Sequence, residues 1–234
     1  MNLLAFDTST DTLSIAVQRG GAGAHAPIAH QGAGGALASA ALIPAIHGLL
    51  AQAGLRLAQL DAIVFGRGPG SFTGLRTACS VAQGLAFGSG VPVLPVETLM
   101  AVAEEARERE GTTQVVALLD ARMDEVYSAA YLHDGGRWLR QGDFRLGRPE
   151  SVLVPPGWSL AGNAFAAYPA RLPAAAAQVE VLPTAQALLR LAPALLAAGQ
   201  AVNAAGALPL YIRDKVAQTT EERAAAKAAS PQRP

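Results

Sequence analysis

The 234-residue chain has a single cysteine, Cys79, so it can form no intramolecular disulfide and suits a reducing compartment. That thiol lies in T-A-C-S-V-A, an apolar helical context with no nearby cation to lower its pKa, which marks a small core residue rather than a reactive group. Aromatic residues make up 5% of the chain and charged residues 15%, and the formal charge sums to zero. A strong stand-alone grip on nucleic acid normally rests on a clustered Lys/Arg surplus, which this balance excludes. One local cluster, Arg137, Arg140, Arg145 and Arg148, leaves two readings: contact with a phosphate backbone, or a solvated face. No apolar run approaches the ~20 residues that span a bilayer. No basic start precedes the opening apolar stretch, and Asp7 interrupts it, so a cytoplasmic protein away from membranes is expected.

Motifs for chemistry are equally scarce. The four histidines, His25, His30, His47 and His133, form neither H-E-x-x-H nor H-x-x-x-H, and no Cys/His ligand cluster exists. The glycine-rich G-R-G-P-G-S-F-T-G-L-R, Gly66 to Arg76, lacks the lysine of a P-loop and has the wrong spacing for a dinucleotide fingerprint. Ser71 in P-G-S-F-T-G is not a nucleophile elbow. Asp120, Asp124 and Glu125 surround Arg122 in D-A-R-M-D-E, a pattern that reads as a turn with a local ion pair. No metal, no cofactor and no assembled catalytic centre are expected.

What is present is an ordered α/β pattern. N-L-L-A-F and the alternating T-L-S-I-A-V-Q predict two strands around the turn D-T-S-T, and A-H-A-P-I-A-H a third, poorer one. Helical periodicity runs from Gly35 to Ala53, with Leu42, Ile46, Leu49 and Leu50 along one face. Pro44 should kink or delay that helix, and Gly54 should stop it. Residues 62–65 predict a buried strand and residues 72–87 a helix beyond the glycine loop. V-P-V-L-P-V predicts another strand, followed by an amphipathic helix. At Gly111 the plan restarts: Q-V-V-A-L-L-D, an acidic turn, and the returning strand E-V-Y-S-A-A-Y-L suggest an internal duplication. Beyond Pro149 only V-E-V-L (strand) and T-A-Q-A-L-L-R-L-A-P-A-L-L-A-A-G (helix) stand out, and the E-E-R-A-A-A-K tail is expected to fray.

Two motifs admit function. Asp7, Thr8 and Ser9 of D-T-S-T could hold a phosphate or hydrated cation, or they form an ordinary turn in which side chains bond nearby backbone. The glycine loop is either a phosphate cradle or bare backbone for close approach. Beyond it, Gly74, Ala78, Ala82 and Ala86 recur every four residues, as do Ser80, Gly84 and Gly88. Residues at that spacing share a helix face, so two small-residue stripes invite dense packing on more than one side.

F-D-T-S-T, G-R-G-P-G-S-F-T-G-L-R with A-Q-G-L-A, L-D-A-R-M-D-E-V-Y and P-L-Y-I-R-D-K-V-A, in this order, resemble the bacterial accessory subunit of the tRNA threonylcarbamoyladenosine machinery, the TsaB or YeaZ type. The resemblance implies an actin-like, ribonuclease-H-like α/β fold with two related lobes, mixed sheets flanked by helices: residues 1–110, residues 111–208, and a C-terminal segment 209–234. It implies a non-catalytic subunit that pairs with a homologous catalytic threonylcarbamoyltransferase, joined by a small ATPase, with tRNA contacted only indirectly and homodimers formed when the chain is alone. The catalytic relative carries a metal-binding H-x-x-x-H where Thr98 and Val102 stand in this chain, and neither side chain can replace an imidazole. The resemblance places the main partner contact on the first two helices, here through Leu42, Ile46, Leu49 and Leu50, and through Gly74, Ala78, Ala82 and Leu85. Two other readings remain: a nucleotide-dependent ATPase or kinase using Asp7, Thr8 and Ser9, and a metallopeptidase, which the missing histidine pairs oppose.

Overall fold

A computed structural model describes residues 1–20 and 26–213. The charged tail expected to fray, and most of the G-G-A-G-A turn, lie outside the described residues. Two five-stranded mixed sheets organise the rest. The first contains β1 (Leu3–Asp7), β2 (Thr12–Gln18), β3 (Ile28–Ala33), β4 (Ala62–Gly68) and β5 (Val93–Glu97), in the order β3-β2-β1-β4-β5. β1, β2 and β3 run antiparallel, while β4 and β5 join parallel to β1. The second contains β6 (Gln114–Arg122), β7 (Glu125–Asp134), β8 (Arg137–Gly147), β9 (Ser159–Gly162) and β10 (Gln178–Glu180), in the order β8-β7-β6-β9-β10. It repeats the plan: three antiparallel strands, then two parallel ones. The restart at Gly111 is therefore a structural repeat. Two related lobes of this topology make an actin-like, ribonuclease-H-like fold.

Among the described residues four α-helices complete the layers: α1 (Ala38–Gln52), α2 (Phe72–Ser89), α3 (Thr98–Glu110) and α4 (Ala185–Ala197). The chain enters α1 through a 3-10 turn over Gly35–Leu37, so the helix starts later than its periodicity suggests, and Pro44 sits inside it. Ser71 caps α2, its hydroxyl accepting from the Gly74 amide, and left-handed Gly90 ends it. α1 and α2 cover one face of the first sheet, where Leu42, Ile46, Leu49 and Leu50 interlock with Ala78, Cys79, Ala82 and Phe65.

α3 and α4 lie between the sheets. One apolar core runs through this layer, from Leu3, Ala5 and Val64 of the first sheet through Leu99, Val102, Leu188 and Leu191 to Val115, Ala117 and Tyr131 of the second. α3 follows the first sheet in sequence yet shares this layer with α4, which belongs to the second half of the chain. At its centre Glu104, 2% exposed, accepts from Arg107 at 2.9 and 3.0 Å, from the Trp138 indole at 2.9 Å and from Arg190 at 3.0 Å. Burial alone would raise its pKa; those donors outweigh burial and hold the carboxyl below its ordinary range.

Two strands, β8 and β9, escaped the sequence reading. β8 is a terminal strand with three arginines, and β9 spans only four residues. Both draw their strand character from pairing with a neighbour rather than from alternation of their own.

Candidate functional site

The two loops singled out by sequence meet at the ends of β1 and β4. Asp7 closes β1 and is fully buried; its Oδ1 accepts from the Ser9 amide at 2.8 Å and the Ser9 hydroxyl at 2.5 Å, and the Thr98 hydroxyl lies close to the carboxyl. Burial pushes the carboxyl up to about 6 against the opposing pull of the Ser9 hydrogen bonds. The Thr8 hydroxyl donates to the Gly74 carbonyl at 2.7 Å, and the Ser71 amide donates to the Ser9 carbonyl at 2.7 Å.

The glycines are what make this contact possible. A Cβ at Gly66 would sit 1.8 Å from the Asp7 carboxylate, and one at Gly74 would sit 1.8 Å from the Thr8 carbonyl oxygen. The glycine loop is thus bare backbone for close approach, and the piece it approaches is the D-T-S-T turn of the same lobe. Asp7 and Thr8 do not reach the surface. Of the three nucleotide-site candidates only Ser9 lines the cleft between the lobes. Thr98 and Val102 are wholly buried, and the Thr98 hydroxyl accepts from the Gly68 amide at 3.0 Å. Among the described residues no three His, Cys, Asp or Glu side chains gather as metal ligands.

The cleft between the lobes has a volume of about 850 Å³. Arg122 spans it, pairing with Asp11 at 2.6 Å and with Asp120 at 3.6 Å. The local ion pair expected within D-A-R-M-D-E is therefore only part of the arrangement: Asp124 pairs with Arg171, and Glu125 with Arg213 at 2.6 Å. Arg122, Met123 and Asp124 all adopt left-handed backbone at φ 59°, 55° and 63°, an unfavourable run for residues with side chains. The segment 207–213 straps across both lobes. Its Ala207 carbonyl accepts from Gln83 of α2 at 2.7 Å, its Leu210 amide donates to Arg67 at 2.7 Å, and Arg213 donates to the Ala121 carbonyl at 3.2 Å. Tyr211 rests on Phe72, whose ring also carries the Arg76 guanidinium 3.8 Å from its centroid. Nothing local in P-L-Y-I-R signals this strap, because its contacts lie about ninety residues or more away.

The α1–α2 surface corrects one expectation. Leu42, Ile46, Leu49, Leu50, Gly74, Ala78 and Ala82 all point into the lobe's own core, and Leu85 packs against it half-buried. The periodic stripe on each helix is the stripe that the first sheet covers, because burial against the lobe's own sheet is what imposes that periodicity. The outward face is carried by other residues. Leu37, Ile43, Phe72 and Phe87 are exposed, Phe87 at 88%. A shallow groove between the helices is lined by Ser39, Phe72, Thr77, Ser80 and Val81. Gly48, Gly84 and Gly88 each have open space where a side chain would stand. The second stripe, Ser80, Gly84 and Gly88, is thus the exposed one.

Comparison with known proteins agrees with this architecture. A family model described as TsaD, tRNA N6-adenosine threonylcarbamoyltransferase, matches residues 36–221. The tRNA threonylcarbamoyladenosine biosynthesis protein TsaB of Escherichia coli is 34% identical over 93% of this chain and 96% of its own length. The protein of the same name from Haemophilus influenzae is 46% identical over 54% of this chain and 52% of its own. The solved structure of YeaZ from Pseudomonas aeruginosa superimposes with a TM-score of 0.83 at 40% identity, over 90% of this chain and 99% of that one. With the repeated sheet plan, the buried D-T-S-T turn and these matches together, the chain belongs to the TsaB/YeaZ family of tRNA threonylcarbamoyladenosine biosynthesis proteins.

Proposed function

We propose that this chain is a non-catalytic subunit that binds and supports a homologous threonylcarbamoyltransferase as threonylcarbamoyladenosine is made beside the tRNA anticodon. The observation that carries the reading is the outward face of α1 and α2. Ile43 of α1 and Phe87 of α2 stand exposed, with Leu37 at the turn into α1 and Phe72 at the start of α2, and Gly48, Gly84 and Gly88 leave backbone bare, features on which a second helix pair can pack closely. Support for the accessory role comes from the names of the relatives. Support for the chain's having no chemistry of its own comes from Asp7 and Thr8, spent inside the lobe, and from Thr98 and Val102, which are core residues. The same face serves a homodimer when the partner is absent; a small ATPase joins the assembly in the cytoplasm, and tRNA is held chiefly by the other subunits. The kinase reading is not favoured, since of Asp7, Thr8 and Ser9 only Ser9 lines the cleft.

The test is co-purification with the catalytic homologue from the same cell, followed by a modification assay. The pair should associate and modify tRNA, and neither this chain nor a Gly84→Arg variant mixed with the partner should do so. Phe87→Ala should weaken association by roughly 1–3 kcal/mol, as loss of an exposed aromatic anchor does. Modification by this chain alone, or a Gly84→Arg protein that binds normally, would overturn the reading.

A further inference from the structure

A second recess, apart from the cleft and from the α1–α2 face, lies on the outer side of the second sheet. It encloses about 320 Å³ between β7, β8 and the turn that follows, and Ser128, Arg145, Arg148 and Ser151 supply its polar lining. Ser128 is 5% exposed, and its hydroxyl has no hydrogen-bond partner among the described residues. The hydroxyl opens into the recess, where an acceptor entering from outside can take its hydrogen bond. Arg145 stands directly opposite Ser128 across the β7–β8 ladder, so both side chains rise from one face of the sheet.

A bulge secures that arrangement. Between the pairs Ser128↔Arg145 and Ala130↔Gln141, three residues of β8 face Ala129 alone, with Gly142 left-handed at φ 79°. Such a bulge bends the terminal strand and re-aims the side chains beside it. The charge balance is equally specific. Arg171 engages both nearby acids, Asp124 and Glu150, and with help from Arg148 holds the Asp124 carboxyl below its ordinary range. Among the described residues neither Arg145 nor Arg148 makes an ion pair within 4 Å, so the rim they form with Arg171, Asp124 and Glu150 keeps a positive surplus of one charge.

We propose that this recess is a phosphate-group site, in which Arg145 and Arg148 take the oxyanion and the Ser128 hydroxyl donates a further hydrogen bond. Arginine forks match tetrahedral oxyanions, and charge-assisted bonds of this kind are the stronger class. The phosphate can belong to a free anion or to the backbone of an RNA, and the two sources share the chemistry.

The test uses the full chain in two arms. In the first, inorganic phosphate is titrated while the arginine Nε–H resonances are followed by NMR. In the second, a fluorescent RNA hairpin is titrated at several salt concentrations. The variants are Arg145→Ala/Arg148→Ala, Ser128→Ala, and Arg56→Ala as a distant control, each checked for an unchanged melting temperature. The double variant should lose about tenfold in affinity and Ser128→Ala a smaller part, while the control binds as the parent does. Loss confined to inorganic phosphate assigns a free anion. Loss extending to RNA, with the slope of log K against log salt reduced by about two, assigns a nucleic-acid phosphate. Absence of binding in both arms, or equal loss in the Arg56→Ala control, overturns the proposal.

Discussion

Asp7, which the sequence leaves between a ligand-holding turn and an ordinary one, is buried by the fold. Its place at the end of β1 and its run of hydroxyl neighbours were visible in the sequence, but its burial depended on Gly66 and Gly74, some sixty residues away. The consequence is a destabilising charge. Because the folded carboxyl titrates at about 6 rather than 3.8, the folded state holds its proton more tightly than the unfolded chain does. Stability therefore falls as pH rises from about 4 to about 6, and above that window the ionised form costs on the order of 3 kcal/mol. Asp7→Asn keeps an acceptor for Ser9 and removes the charge, so it should unfold at higher urea than the parent at pH 7 and at about the same urea near pH 4. A variant less stable at pH 7 would show that the ionised carboxylate contributes rather than costs.

At the scale of elements, α2 separates the two uses of small residues. Gly74, Ala78, Ala82 and Ala86 let the helix lie close on the first sheet, while Ser80, Gly84 and Gly88 leave the far side low. Spacing identified both stripes but could not say which one faced home, since a helix that is apolar nearly all round has no polar side to orient it. Leu42, Ala78 and their neighbours, expected to meet a partner, lie buried against the lobe's own sheet. Gly84 is where the distinction can be measured. It lies mid-helix with open space around it, so Gly84→Ala should stabilise the chain by about 0.5–1 kcal/mol in chemical denaturation. Gly84→Arg should fold equally well yet fail to bind the transferase. A destabilised Gly84→Ala would mean that the helix surface is already in contact within the monomer.

For the whole molecule, the central helical layer decides how the lobes behave. The first sheet and the second share one core through α3 and α4, and Glu104 ties α3, α4 and β8 together. Residues 1–110 expressed alone would expose the face of the first sheet that α4 covers, and should not fold cooperatively. The full chain should melt in a single transition with coincident fluorescence and circular-dichroism curves. Glu104→Ala leaves Arg107, Trp138 and Arg190 without their acceptor and should cost about 3–5 kcal/mol. Two separated transitions in the parent would refute this account. Glu104 has a depressed carboxyl, so its contribution is present above the ordinary carboxylate range and is lost as pH falls through its folded value.

Alternation, helical periodicity and turn chemistry are local properties, and they determined the strand–turn–strand opening, its repetition after Gly111, the four helices and the family landmarks. Contacts between distant segments are not local. Only the tertiary structure decided that the glycine loop meets the D-T-S-T turn, that residues 207–213 strap the lobes together, that β8 and β9 are strands at all, and which side of α1 and α2 is left exposed. Burial depends on what arrives from elsewhere in the chain, and a pattern along one segment carries no record of that arrival.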